Sequence, residues 1–325
     1  MGEPLLATVT ATVTDSTLTD SVIPMSSTPP TISVIMPAYQ AEAFIARSIR
    51  CAQQQTVRPL EILVIDDGSH DNTAVAAAAC GDLVRVIRQP NGGPAAARNH
   101  GAREARGEWL AFLDADDGWL PNKLERQIAQ IEESTTLLHA YCTVDENSPL
   151  APDDQKFDDL WNRNTICTSS VIMRKRDFDA VGGFDEDRSI MAVEDYNLWL
   201  RLLHHGCQFR VVRERLIEYT PAPNNLSGQY GRMVRSELNN VEKIRLACGM
   251  DDQRVTRKQA KIYSEWGQAL FHSRDMQEAR DCYRNVLSRQ PTLNALIRWM
   301  ATFVPRSVLD LRRRGRTDEC LEPRA

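Results

Sequence analysis

An open, mostly parallel α/β sheet is the fold class that this 325-residue chain predicts. Three observations predict it. Short β-branched runs alternate with helical stretches over about 100 residues. Two of the runs end in acidic clusters, Asp66-Asp67 and Asp114-Ala115-Asp116-Asp117, which lie at strand carboxyl ends, where such sheets bind ligands. From Arg232 the pattern turns wholly helical, which adds an α-helical appendage.

Residues 1–30 are rich in Thr, Ser and Pro without a sustained period and read as a disordered tail. Ile32-Ser33-Val34-Ile35-Met36, stopped by Pro37, has the signature of a buried strand. Ile45, Ile49 and Ala52 share one face of the helix that follows. Leu60 to Ile65 is a second strand, Thr73 to Ala79 a helix and Val84 to Ile87 a third strand. Pro94 to Ala105 reads as a helix with Pro in its first turn. Trp109 to Leu113 is a fourth strand, and a helix opened near Pro121 carries Leu124, Ile128 and Ile131.

Past Leu137 the pattern loosens. Ser170 to Met173 is a strand, Val181-Gly182-Gly183-Phe184-Asp185 a turn, and a helix beginning near Glu194-Asp195 carries Leu198, Trp199 and Leu202. His204-His205 reads as the end of that helix before Gly206 rather than a metal site, because adjacent residues do not share a helix face. Phe209 to Val212 is another short strand.

In the helical part, Val234, Leu238, Val241 and Ile244 fit one helix closed by Gly249. Tyr263, Trp266, Gly267 and Leu270, followed by Ala279, Tyr283, Val286 and Pro291, resemble one tetratricopeptide unit of about 34 residues. A free solenoid needs about three such units, so this one is expected to pack on the α/β domain or serve a partner. Leu296 to Arg316 mixes apolar residues with Arg298, Arg306, Arg312, Arg313, Arg314 and Arg316. It is either a basic amphipathic surface for anionic lipid, giving peripheral membrane association, or a solvated helical end. The expected division is 1–30, 31–225 and 226–325.

Composition narrows the function. Hydrophobic residues at 42% and charged residues at 26% are ordinary for a globular protein. A net charge of -5 argues against a nucleic-acid binder. The eight cysteines form no Cys-x-x-Cys pair and fit a reducing cytoplasm. No apolar run approaches the ~20 residues that span a bilayer, and a signal-peptide start is lacking. The protein is therefore expected in the cytoplasm, with attachment to the inner membrane face as an option.

Asp114-x-Asp116 carries the chemistry. Cleaving a sugar from a nucleoside diphosphate leaves negative charge on the diphosphate, which a divalent cation neutralises. Such a cation takes one or two carboxylates plus phosphate oxygens. Carboxylates at i and i+2 of an extended segment point the same way. Acidic triplets are common in loops, but this one follows Phe112-Leu113 directly and precedes Gly118-Trp119.

Six blocks in order resemble the family 2 glycosyltransferases, an inverting group with the GT-A nucleotide-sugar fold. They are Ser33 to Tyr39, Ile65 to Thr73, Asn91 to Asn99, Phe112 to Asp117, Val181 to Asp185, and Glu194 to Trp199. The resemblance spans about Ile32 to Val212. It implies that Pro37, Ala38 and Tyr39 line the base slot and that Asp67 accepts from a pyrimidine N–H, favouring UDP. Gly68 serves a turn, and Asp66 orients the loop or binds indirectly. Asp71 caps the next helix. Gly93 lets backbone approach the nucleotide. Arg98 either balances phosphate charge or holds Asp114, and Asn99 is structural. Asp114 and Asp116 would hold Mn2+ or Mg2+, with Ala115 beside the nucleotide. Asp195 is the candidate general base, favoured over Glu194. Glu194 and Trp199 lie on the acceptor side, Trp199 either stacking on a sugar or filling the core.

The implied partners are a UDP-sugar and an acceptor glycan, which the basic tail tilts toward a lipid-linked one. A nucleotidyltransferase is disfavoured, because Pro37-Ala38-Tyr39-Gln40 stands where its glycine-rich basic loop would be. A polymer-exporting synthase is disfavoured by the lack of membrane spans. A degenerate scaffold acting through the helical tail is the alternative from another class, against which Asp114, Asp116 and Asp195 are all present.

Overall fold

In the computed structural model of the chain, the described residues are 29–142, 152, 155–218, 220 and 230–305. The expected disordered tail, but for its last two residues, and the arginine-rich end beyond residue 305 lie outside them. The strands are β1 (Ile32–Ala38), β2 (Glu61–Asp66), β3 (Val84–Arg88), β4 (Trp109–Phe112), β5 (Gly118–Trp119), β6 (Thr135–Cys142), β7 (Ile172–Arg174) and β8 (Gln208–Glu218). They form one sheet in the order β3-β2-β1-β4-β7-β6-β8-β5. The β3-β2-β1-β4 half is parallel. β7 is antiparallel to β4 and β6, β8 is parallel to β6, and β5 is antiparallel to β8. This is the mixed α/β sheet of the GT-A fold.

The sheet has a core on each face, and alternation along the strands feeds both. Ile35, Leu63, Ile65, Leu110 and Phe112 point into one, and Val34, Met36, Ile62, Val64 and Ala111 into the other. β2 is buried at every position, so its apolar run is continuous rather than alternating. Helix α1 (Ile45–Gln53) covers the second core with Ile45, Ile49 and Ala52, the face expected from the sequence. Helix α3 (Pro94–Glu104) lies so close to the first face that a Cβ on Gly101 would stand 2.6 Å from Ile35 Cγ2.

The strand registers set the site. Ala38 is level with Asp66, and Ile35 with Phe112. The Asp67 N–H donates to Ala38 O at 2.8 Å and the Leu113 N–H to Ile35 O at 3.1 Å. Tyr39, Asp67 and Asp114 therefore emerge together at one carboxyl edge. Pro37 lies inside β1 rather than ending it.

The remaining helices are α2 (Thr73–Ala78), α4 (Lys123–Ile128), α5 (Phe157–Asn162), α6 (Lys175–Ala180), α7 (Glu194–His204), α8 (Tyr230–Cys248), α9 (Asp252–Ser273), α10 (Met276–Arg289) and α11 (Leu293–Ala301). Gly206 follows the end of α7 with φ +83°, as the His204-His205 reading requires. The helix expected to close at Gly249 is α8, and Gly249 has φ +63°. α9 and α10 form the expected pair, with Gly267 in contact range of Cys282 and Tyr283.

The pair does not stand apart from the sheet. Val241, Ile244, Val255 and Ile262 share the first core with Leu198 and Trp199. Lys261 Nζ donates to Asn162 O at 2.8 Å, and the buried Asn197 amide donates to Asn240 Oδ1 at 2.8 Å. Among the described residues, no helix is long and apolar enough to cross a membrane.

Candidate active site

The acidic motif is a turn. Asp117 N–H donates to Asp114 O at 3.2 Å, so Asp114 and Asp116 stand on a chain reversal, which corrects the extended geometry expected from their spacing. Two neighbours on α1 fasten the turn's backbone: Ser48 Oγ donates to Ala115 O at 2.8 Å and Arg47 to Asp116 O at 3.0 Å. Crowding shows in the protonation equilibria. Burial, and then the Asp114 charge, hold the Asp116 carboxyl above its ordinary range. The same two causes push Asp117 up to about 7.

Among the described residues, Arg98 is the cation paired directly with a carboxylate of this turn. Its Nη2 meets Asp114 Oδ1 at 2.7 Å and its Nη1 meets Glu194 Oε1 at 2.8 Å. The guanidinium is buried, with the Phe184 ring 5.4 Å away. Burial opposes its charge, but Asp114 and Glu194 overcome that and hold its pKa above the ordinary value. Of the two roles weighed for Arg98, the geometry has it gripping Asp114 and tying it to the start of α7. Glu194 Oε2 is buried without a partner among the described residues.

Asp195 stands beside that pair. Its Oδ2 accepts from Thr168 Oγ at 2.7 Å, and its Oδ1 from the Tyr196 N–H at 2.6 Å. Burial, then the neighbouring Glu194 charge, push it up to about 6, against the pull of the Thr168 bond. The next residue serves the opposite side: Ser169 Oγ donates to Asp117 at 2.6 Å and accepts from the Asp114 N–H at 3.1 Å. The 3-10 turn Thr168–Ser170 thus links the base candidate to the acidic turn. Sequence reasoning assigns no role to Thr168, Ser169 or Asp117. Asp117 is visible there as a third acid in the row, whereas two hydroxyls in a stretch without period carry no signal.

On the nucleotide side, Tyr39 follows β1 with half its surface exposed, as a stacking residue requires. Pro37 and Ala38 form the strand end beneath it. Asp67 is buried and accepts from Gln89 Nε2, Gly92 N–H and Gly93 N–H, each at 2.8 Å. It therefore shapes the glycine loop that opens α3, with one lone pair left for a ligand. Gly93 has φ +93°, and a Cβ on Gly92 would stand 2.8 Å from that of Ala96. Asp66 pairs with Arg88 at 2.9 Å and accepts from Ser69 N–H, an orienting role. The N-cap of α2 is Asn72, without a side-chain cap bond, which corrects the cap expected at Asp71; one residue earlier, Asp71 accepts from the Thr73 N–H at 3.1 Å and so folds the turn that leads into the helix. Asn99 clasps the Gly183-Phe184 turn through both backbone groups of Phe184.

Of the two roles weighed for Trp199, the geometry has it filling the core. Trp199 is fully buried and packs edge-on against Phe184. It presents no face to an acceptor sugar, because its position on α7 points into the core.

The residues fit a divalent cation. Three carboxylates stand within four residues, Asp114 is matched by a close arginine, and the other two are pushed toward protonation by burial and crowding. Among the described residues no group of three or more His, Cys, Asp or Glu closes into a cage. Two carboxylates with ligand oxygens completing the shell is the arrangement that a phosphate-bound Mg2+ or Mn2+ takes.

Comparison with known proteins accords with this geometry. Residues 33–181 match the family described as Glycosyl transferase family 2. The chain is 33% identical over 180 residues to UDP-Glc:alpha-D-GlcNAc-diphosphoundecaprenol beta-1,3-glucosyltransferase WfgD of Escherichia coli, covering 53% of this chain and 69% of that protein. An uncharacterized glycosyltransferase of Rickettsia bellii is 30% identical over 190 residues, 53% of this chain and 27% of its own length. The chain thus spans less than a third of that relative. Among solved structures, mannosyltransferase PcManGT of Pyrobaculum calidifontis, in complex with GDP-Man and Mn2+, aligns with TM-score 0.63 at 17% identity, over 90% of this chain and 83% of that one. S. aureus TarS 1-349 in complex with UDP-GlcNAc aligns with TM-score 0.58 at 18% identity, over 88% and 92%.

Proposed function

The chain belongs to glycosyltransferase family 2, and from that membership we propose that it moves a sugar from a UDP donor onto an acceptor hydroxyl in a single inverting displacement. The observation that carries the reading is the Asp114–Arg98–Glu194 bridge. It ties Asp114, a carboxylate suited to the donor's metal, to Glu194 at the start of α7, beside Asp195, the carboxylate suited to the acceptor's proton.

Tyr39 offers a ring to the base, and Asp67 keeps Gly92-Gly93 folded so that backbone N–H groups at the start of α3 can face the diphosphate. Asp114 and Asp116 would hold Mn2+ or Mg2+, which supplies Lewis-acid neutralisation of the leaving diphosphate. Asp195 takes the acceptor proton. A carboxylate with a pKa pushed up to about 6 is a stronger base than an ordinary aspartate yet is ionised at neutral pH. Arg98 fixes Asp114 and moderates the charge between Glu194 and Asp195.

The WfgD relative acts from UDP-Glc on a diphosphoundecaprenol-linked sugar. That supports a role in cell-envelope polysaccharide synthesis with a lipid-linked acceptor glycan, on the cytoplasmic side of the membrane. PcManGT is seen with GDP-Man, so GDP is the comparison nucleotide in the test. Titration calorimetry of UDP and GDP is run with Mn2+, without it, and on Asp116→Ala. The expected result is metal-dependent UDP binding that Asp116→Ala loses, and retained UDP binding without sugar transfer in Asp195→Asn. Binding of neither nucleotide under any condition would overturn the reading.

A further inference from the structure

Ten large apolar side chains are exposed on the described residues, and five stand on or just after one nine-residue helix. Leu293, Leu296, Ile297 and Met300 of α11 recur at helical spacing, with Phe303 following, and are 38% to 73% exposed. The opposite face is occupied: Ala295 and Trp299 pack on Tyr283 and Val286 of α10, and Arg280 donates to Thr302 O at 3.1 Å. α11 is therefore anchored by one side and offers an apolar stripe on the other.

The charge around the stripe selects what covers it. The chain is net -5, yet from Cys282 to Leu309 there is no carboxylate, while Arg284, Arg289, Arg298 and Arg306 fall in that stretch. The sequence then adds Arg312, Arg313, Arg314 and Arg316 against Asp310, ahead of the acids Asp318, Glu319 and Glu322. An acidic protein is repelled from an anionic bilayer except where one region reverses its sign, and here the reversal coincides with the apolar face. An in-plane helix with apolar side chains on one side and arginines beside them is the form that binds headgroups and acyl chains together.

We propose that α11 docks on an anionic lipid surface, inserting Leu293, Leu296, Ile297 and Met300 while the flanking arginines meet the headgroups. The proposal stands independently of the transfer reaction, although it would bring a catalytic site to a lipid-linked substrate.

The test is sedimentation of the full chain with vesicles of phosphatidylglycerol or of phosphatidylcholine, beside light scattering of the protein alone. Ile297→Glu/Met300→Glu is the variant; both positions are exposed, so the fold and UDP binding are retained. The expected result is binding to phosphatidylglycerol stronger by about tenfold or more than to phosphatidylcholine, reduced to the phosphatidylcholine level by the variant and weakened by salt. Equal binding to the two lipids, or binding unchanged in the variant, overturns the proposal. So does an oligomer that the variant dissociates, because the stripe would then be an interface between copies of this chain.

Discussion

The Thr168 hydroxyl has one hydrogen bond to donate, and the Asp195 carboxylate accepts it. A hydrogen bond to a charged group contributes about 1.5–3 kcal/mol, which corresponds to about one to two pKa units. It favours the ionised carboxylate and so opposes the burial and the Glu194 charge that push Asp195 up to about 6. Thr168→Val removes the donor at nearly constant shape. The acid limb of kcat/KM against pH is expected to move upward by about one to two units, with activity recovering at alkaline pH. Thr168→Ser restores the bond and the profile. A merely structural role would lower activity equally at every pH, and a limb that stays in place in Thr168→Val would show that Asp195 is not the group being titrated. Ser169 is the same device aimed at the acidic turn, donating to Asp117 and receiving the Asp114 N–H.

The loop before α3 depends on Asp67 in the way the acidic turn depends on Arg98. Three donors converge on its carboxylate, and two belong to glycines whose backbone paths leave no room or no favourable φ for a side chain. An asparagine in its place has one acceptor oxygen and brings an N–H that faces a donor. Asp67→Asn is therefore expected to cost about 1–3 kcal/mol of stability and to raise the KM for the donor more than it lowers kcat. Thermal unfolding and initial-rate kinetics read the two effects; an unchanged KM would mean that the loop does not face the nucleotide. The first four strand–helix units are legible in the sequence because their apolar periods are regular, as at Ile45, Ile49 and Ala52. β6 is not, because Thr135 and His139 are polar residues buried in the sheet, the latter bonded to Gln155, so no period appears. β8 reads short because the register shifts against β6 break alternation after Val212. The site divides along the same line: contiguous blocks disclose Asp114, Asp116 and Asp195, while the Thr168-Ser169 link and the burial of Trp199 depend on packing between distant segments.

At the scale of the whole molecule, buried titrating groups pull stability in opposite directions with pH. Asp117 and Asp195 are pushed up to about 7 and about 6, and Asp116 and Glu237 are also raised, chiefly by burial. A raised carboxylate binds its proton in the folded state at a pH where the unfolded chain has already lost it. Such groups add stability as pH falls through the folded pKa toward the unfolded value near 3.8, and withdraw it as pH rises. Two buried bases act the other way. His139 is lowered to about 4 and Lys123 well below its ordinary value, both by burial, so each withdraws stability as pH falls below its unfolded pKa. The share of the acidic turn is isolated by comparing the protein with Asp117→Asn, which leaves both bases in place. Between pH 8 and pH 5.5 the metal-free protein is expected to gain about 2 kcal/mol relative to the variant, from a folded pKa of about 7. A divalent cation held by this turn, as proposed, would compete with protons for it, so Mn2+ should raise Tm strongly at pH 8 and little at pH 5.5. Calorimetric melting of both proteins at both pH values, with and without Mn2+, measures this. A stability difference between them that does not change with pH, or a Mn2+ increment equal at the two pH values, would show that the acidic turn is neither self-repelling nor the place where the cation binds.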